Sequence, residues 1–201
     1  LLDDPALQDE QKDLVHRIGK LCTRLSELIQ RILETEKEGD LSKEQLQDIN
    51  LKECIFTIAE SFSVRLQQKS IDLKYRFPNT PCIVKTDHLR LNQALENIIS
   101  NAVKFTPPNK NIEIGLHSND TSTEIFIRDE GPGFSKEDQS KLFVPFSQLS
   151  AKPTAGEPTT GLGLSIVKRC LDHIGAELQL DTEEGKGTVF RIYIPNVFPK
   201  N

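Results

Sequence analysis

The stretch Arg90–Thr106, RLNQALENIISNAVKFT, constrains this chain more than any other. At helical period, Leu91, Leu95, Ile98, Ala102 and Phe105 fall on one side. Gln93, Asn97 and Asn101 step by four, Lys104 follows by three, and together they line another side. Exposed helix faces usually carry Lys, Glu and Arg. A ladder of amides ending in a lysine is less common, and it offers both acceptor oxygens and donor nitrogens. Such a face suits a magnesium ion and the phosphates it bridges, because magnesium takes oxygen ligands and keeps several waters. An ordinary amphipathic helix with a wet polar side fits this segment equally well.

Three later stretches bear on that choice. Asp129-Glu130-Gly131-Pro132-Gly133 follows the alternating run Glu124–Arg128, which reads as a strand. An acid at a strand end, followed by Gly-x-Gly, places a carboxylate beside backbone that can approach a flat ring. Thr160-Gly161-Leu162-Gly163-Leu164 opens an apolar helix over Ser165–Ile174, and amide N–H groups at a helix start are free for phosphate oxygens. Gly185-Lys186-Gly187-Thr188 joins two alternating strands, where a plain hairpin turn is the simpler reading. Each signal is weak alone. Their order and spacing together are strong.

In these stretches the chain resembles the catalytic and ATP-binding domain of sensor histidine kinases, within the Bergerat ATP-binding superfamily. The asparagine box is Asn97–Thr106 and the first glycine box Asp129–Gly133. The phenylalanine box is Leu142-Phe143-Val144-Pro145-Phe146. Gly161–Ser165 and Gly185–Thr188 are the second and third glycine boxes, and all stand in family order. The resemblance covers residues from about 45 to 195.

It implies an α+β fold: a two-layer sandwich with a mixed, mostly antiparallel sheet and helices on one face, preceded by a long bundle-forming helix. It also implies a catalytic set of Asn97, Asn101 and Lys104, with Asn101 as the magnesium ligand. The implied nucleotide contacts add Phe105, Asp129, Gly131, Gly133, Lys152, Thr160, Gly161, Leu162, Gly163, Leu164 and Thr188. Asp129 would accept from the exocyclic amine of adenine, and Thr188 would support it through a hydroxyl or a water. Gly131 and Gly133 would let backbone pass near the base. ATP and magnesium are the implied cofactors, and a response-regulator receiver domain the implied partner.

Residues 1–39 carry a heptad pattern in which Leu7, Leu14, Leu21 and Leu28 interleave with Ile18, Leu25 and Ile32. Val15, Cys22 and Ile29 widen the stripe to that of a bundle helix. By resemblance this is the second helix of a dimerisation and phosphoacceptor hairpin, making the parent a homodimer. His16 is followed by Arg17 with no proline near, unlike family acceptor histidines, so a bundle-surface role is expected. Gly39-Asp40 marks the expected boundary, with a catalytic domain over 40–201.

In chain order the pattern predicts a strand near Gln47–Leu51, one helix across Lys52–Lys69, and a half-buried strand over Ile71–Phe77. A strand at Cys82–Val84 follows, and Asp87 caps the central helix. Further strands are expected at Ile112–His117, Thr123–Asp129, Glu177–Thr182 and Thr188–Ile194. Ser147–Thr160 is polar and rich in Ser, Thr and Pro, and fits an ATP lid with Lys152 as its sole cation. Phe143 and Phe146 are hinge anchors by resemblance and core candidates as bare sequence. Glu157-Pro158-Thr159-Thr160 replaces glycines common in the family, and Glu130 replaces an asparagine.

A net charge of −5 and the lack of any basic run argue against a nucleic-acid partner. No stretch reaches membrane-spanning length, so a cytoplasmic location is expected and any anchor of the parent would lie outside this chain. The four cysteines are scattered without metal-ligand spacing and are expected to be reduced core residues. Two alternatives stay open: a catalytically inert nucleotide-sensing or docking module, and a gyrase- or mismatch-repair-type ATPase. The latter needs a glutamate one turn before the magnesium asparagine, where this chain has Asn97.

Overall fold

The structure, a computed structural model, describes residues 46–147, 149–154 and 159–196. The expected bundle helix, His16, Cys22 and the boundary at Gly39-Asp40 lie outside the described residues, as does Glu157-Pro158.

The described residues begin with β1 (Leu46–Asn50), α1 (Leu51–Glu60), α2 (Ser63–Gln68) and β2 (Asp72–Arg76). Next come β3 (Ile83–Asp87), α3 (His88–Phe105), β4 (Asn111–Ser118) and β5 (Ser122–Asp129). It closes with α4 (Lys136–Gln139), α5 (Gly163–His173), β6 (Glu177–Glu183) and β7 (Gly187–Pro195). A five-stranded sheet runs in the order β2-β4-β5-β7-β6, and β1 and β3 form a separate antiparallel pair. Among the described residues only β2 and β4 pair in parallel. The mostly antiparallel sheet with helices on one face agrees with the expected architecture.

Cross-strand register places Leu116, Ile125 and Ile192 in one inward row, and Ile114, Ile127 and Phe190 in the next. All six are buried in one core with Leu91, Leu95, Ile98, Ile99 and Ala102 of α3, and with Val167 and Leu171 of α5. The stripe of α3 is wider than expected: Ala94, Ile99 and Val103 are also buried, whereas Phe105 is only half-buried. The helix starts where Asp87 Oδ1 accepts the Arg90 N–H at 3.1 Å. It stops at Thr106, which Pro107 forces into an extended conformation.

The single helix expected across Lys52–Lys69 is two helices. Ser61 breaks it, its hydroxyl donating to Ile58 O at 2.6 Å, and buried Phe62 precedes α2 off the helical path. The inward residues Ile55, Ile58, Ala59 and Phe62 are buried as expected. On edge strand β2, Tyr75 is exposed and stacks edge-on with Phe56 at 4.6 Å. Cys54, Cys82 and Cys170 are buried free thiols. No helix among the described residues is long and apolar enough to cross a membrane.

On the outer face of the sheet, Gly115 lies opposite Phe126, whose ring fills the space a Cβ would take. Gly115→Val should push the half-buried ring off the sheet and cost roughly 1–2 kcal/mol. A lower urea midpoint at unchanged slope would record it, and an unchanged midpoint would show that the ring swings aside freely.

Candidate active site

The amides of α3 are not on a wet face. Gln93, Asn97, Asn101 and Lys104 are all half-buried, while Glu96 on the adjacent face is exposed. Asn97 Nδ2 donates to Gln93 O at 2.8 Å, which leaves its Oδ1 as the free end. Across from these amides lies the start of α5. A Cβ on Gly163 would sit 3.2 Å from Asn97 Oδ1 and 3.8 Å from Asn101 Oδ1. The asparagine and second glycine boxes are therefore in contact, and the unpaired N–H groups of the first turn of α5 open beside two amides. Gly161 makes the turn into α5 at φ +69°, and a Cβ there would meet Ser147 O at 2.8 Å.

The other end of the site is built by β5 and β7. Asp129 ends β5 with only 7% exposure, directly opposite Thr188. Its Oδ1 accepts the Gly131 N–H at 2.8 Å. Burial pushes the carboxyl up to about 6, and hydrogen bonds from the backbone N–H groups of Gly131 and Thr188 offset part of that. Gly131 also ties this corner to α3, since a Cβ there would lie 3.2 Å from Phe105 O.

Thr188 reaches Asp129 through its backbone N–H. The hydroxyl lies 3.2 Å from that of Thr182, which in turn accepts the Phe134 N–H at 3.0 Å. Gly133 approaches the Glu183 carbonyl, and Gly185 N donates to Pro132 O at 2.7 Å. First and third glycine boxes thus brace each other.

The remaining expected residues divide. Leu162 and Leu164 are buried, so what they can offer a ligand is backbone. Thr160 is exposed and its hydroxyl accepts the Leu162 N–H at 3.4 Å. Lys152 is exposed, with no hydrogen bond or ion pair to another described residue. In the phenylalanine box Leu142 is the core residue, Phe143 is half-buried against it, and Phe146 is 38% exposed at φ +60°. The Phe146 N–H donates to Gly161 O at 3.0 Å, joining the residues that flank Ser147–Thr160.

Three further polar residues carry no signal in the sequence pattern. Buried Lys69 donates to Val103 O at 2.6 Å and Lys104 O at 3.0 Å, holding the last turn of α3. Thr182 is legible only through the β6–β7 register. Asp138 is buried on the one-turn helix α4, which has no apolar period to announce it.

The donor set fits magnesium held mainly by phosphates. Asn101 offers one half-buried amide oxygen beside free helix-start amides, and a magnesium ion needs little more from protein when a nucleotide bridges it.

A sheet with its helices on one face and the polar site in the layer between is the arrangement of Bergerat-type ATP-binding domains. The chain belongs to that class: residues 86–197, more than half of it, match the histidine kinase-, DNA gyrase B- and HSP90-like ATPase family. Within the family it is a histidine-kinase catalytic domain. It is similar to hybrid signal transduction histidine kinase A of Dictyostelium discoideum, at 31% identity over 99% of this chain and 10% of the relative. Full-length ShkA, solved in complex with AMPPNP, aligns at 25% identity and a TM-score of 0.69 over 100% of this chain and 42% of its own. Histidine kinase ThkA, solved with response regulator protein TrrA, aligns at 25% identity and a TM-score of 0.66 over 97% and 53%. The chain spans only 9% to 23% of the length of the first curated relatives.

Proposed function

We propose that this domain binds Mg-ATP and transfers its terminal phosphate to a histidine on a dimerisation helix, for relay to a response-regulator aspartate. The observation that carries the reading is the pairing of a buried carboxylate at one end of the site with two half-buried amides under the start of α5 at the other. Asp129 would read the adenine amine, and Asn101 would supply its oxygen to magnesium. The Asn97 amide and the ammonium of Lys104 would face the phosphates, where the positive charge offsets theirs. Gly161, Leu162, Gly163 and Leu164 would offer backbone amides, and magnesium, when bound, would neutralise charge on the phosphates. Residues 1–39 are assigned to a dimerisation helix and 40–201 to the catalytic unit, with a receiver domain as partner. The AMPPNP and response-regulator complexes of the similar kinases support the nucleotide and partner assignments.

The water-activating ATPase reading is weaker. The position one turn before Asn101, where such an enzyme needs its glutamate, is Asn97, and the neighbouring Glu96 is exposed at the rim of a groove.

Incubation with magnesium and γ-labelled ATP tests the proposal. The chain alone is expected to stay unlabelled, and a histidine-bearing dimerisation hairpin added in trans should take up acid-labile label. Label on His16 would overturn the assignment of the N-terminal helix. Steady phosphate release without any protein label would favour the ATPase.

A further inference from the structure

Asp138 is a buried carboxylate with no part in the site as described so far. It sits on α4, where its own N–H donates to the capping Ser135 Oγ at 3.1 Å. The residue is only 7% exposed, and its carboxylate turns to a residue outside its own helix. The Ser150 N–H lies 3.2 Å from each carboxylate oxygen, and the Ser150 hydroxyl donates to Oδ2. Hydrogen bonds to a carboxylate are stronger than neutral ones, and burial sharpens them. The Ser150 hydroxyl, with the Ser150 and Ser135 contacts behind it, holds the carboxyl below the usual aspartate range, so it is charged at neutral pH.

The other end of this segment is also fastened. Thr154 N and Thr154 Oγ1 each donate to Lys104 O at 3.1 Å, and Oγ1 reaches Thr106 O at 3.1 Å. Lys104 O is the carbonyl that Lys69 also holds. Ser150–Thr154 is therefore a strap between α4 and the last turn of α3, the turn that bears Lys104. Lys152 stands at its midpoint, and Pro153 restricts the backbone of both residues. A lysine on a free loop loses much side-chain and backbone entropy on meeting a phosphate, and a strap fixed at both ends removes part of that cost beforehand.

We propose that Asp138 is a positioning residue for the terminal phosphate: by holding Ser150 it fixes, with Thr154, the strap from which Lys152 reaches that phosphate. The inference rests on the Mg-ATP reading above. Asp138 touches no part of the nucleotide and acts through Ser150 and Lys152. Its effect must therefore depend on the third phosphate and on the lysine.

The test measures Mg-ATP and Mg-ADP dissociation by stopped-flow displacement of a fluorescent adenine nucleotide. Wild type is compared with Lys152→Gln, Ser150→Ala, Asp138→Asn and the Asp138→Asn/Lys152→Gln double variant. Each single change is expected to speed ATP release about fivefold and ADP release less than about twofold, the scale of a solvent-facing ion pair. The double variant should be no faster than Lys152→Gln, because both changes remove one interaction. Equal effects on ATP and ADP, or multiplied effects in the double variant, would reduce Asp138 to a structural residue. If Asp138→Asn proves hard to fold, Ser150→Ala carries the same comparison. A wild type that binds neither nucleotide would overturn the Mg-ATP reading itself, whereas tight binding with unchanged variants would overturn this inference alone.

Discussion

Asp129→Asn should all but eliminate ATP binding while leaving the domain at least as stable at neutral pH. In the free protein the carboxyl titrates at about 6, against an ordinary aspartate near 4. The folded state therefore holds this proton more tightly than the unfolded chain does. The stability it contributes is full below about pH 4 and lost as pH rises through about 6. At pH 7.5 the buried charge costs the fold up to roughly 3 kcal/mol, which asparagine removes. The amide oxygen can still take the Gly131 N–H, but the amide nitrogen then meets the adenine amine as donor against donor. Losing a charge-assisted bond and adding an unpaired donor costs about 2–4 kcal/mol, or roughly 30- to 1000-fold in affinity.

Calorimetric titration with Mg-ATP measures that loss, and a thermal melt at pH 7.5 separates it from unfolding. Guanine presents a carbonyl where adenine has its amine, so wild type should reject GTP and the variant should discriminate less. Wild-type affinity should also fall as pH drops through about 6, when the carboxylate takes up a proton. A variant that binds ATP within threefold of wild type would remove Asp129 from the site.

Most of this pocket was legible because its parts are local. The amides of α3 share a face by helical period, and Asp129 ends a strand whose alternation is plain. The Asp87 cap, the β4–β5 and β6–β7 strands and the turn into α5 could be placed for the same reason. What escaped depends on contacts between distant segments. The parallel pairing of β2 with β4 leaves no local trace, because register across a crossover is set by packing. Lys69 looks like any turn lysine until its ammonium is seen on the carbonyls of α3. Asp138 lies in a one-turn helix too short for periodicity, and its partner Ser150 stands in a stretch that reads only as polar. The break at Ser61 was hidden by a side chain competing for a helical carbonyl, which propensity alone does not forbid. The contact between the Thr188 hydroxyl and that of Thr182, directly opposite on β6, could not be read because it depends on the register of the two strands.

Asn101→Ala should remove the part of nucleotide affinity that depends on magnesium and leave the rest. Alanine is the better helix former by about 0.5 kcal/mol, and the Asn101 side chain makes no hydrogen bond to another described residue, so the fold should not suffer. The lost group is one oxygen beside the start of α5. If Asn101 holds magnesium, a water taking its place would not be fixed to the helix, and the ion would lose its anchor to this chain. Metal polarisation of a transferring phosphoryl group is worth several kcal/mol. Affinity for Mg-ATP should fall about 10- to 100-fold, and phosphoryl transfer to an added hairpin by at least ~100-fold. In EDTA, wild type and variant should bind ATP alike.

Asn97→Ala provides the contrast. That change also removes the bond from Nδ2 to Gln93 O and the amide proposed to face the phosphates, so binding should weaken with and without the metal. Titrations at several free magnesium concentrations separate the two cases. If Asn101→Ala lowers affinity equally in magnesium and in EDTA, its oxygen is not the metal ligand. The amide ladder would then serve the phosphates directly.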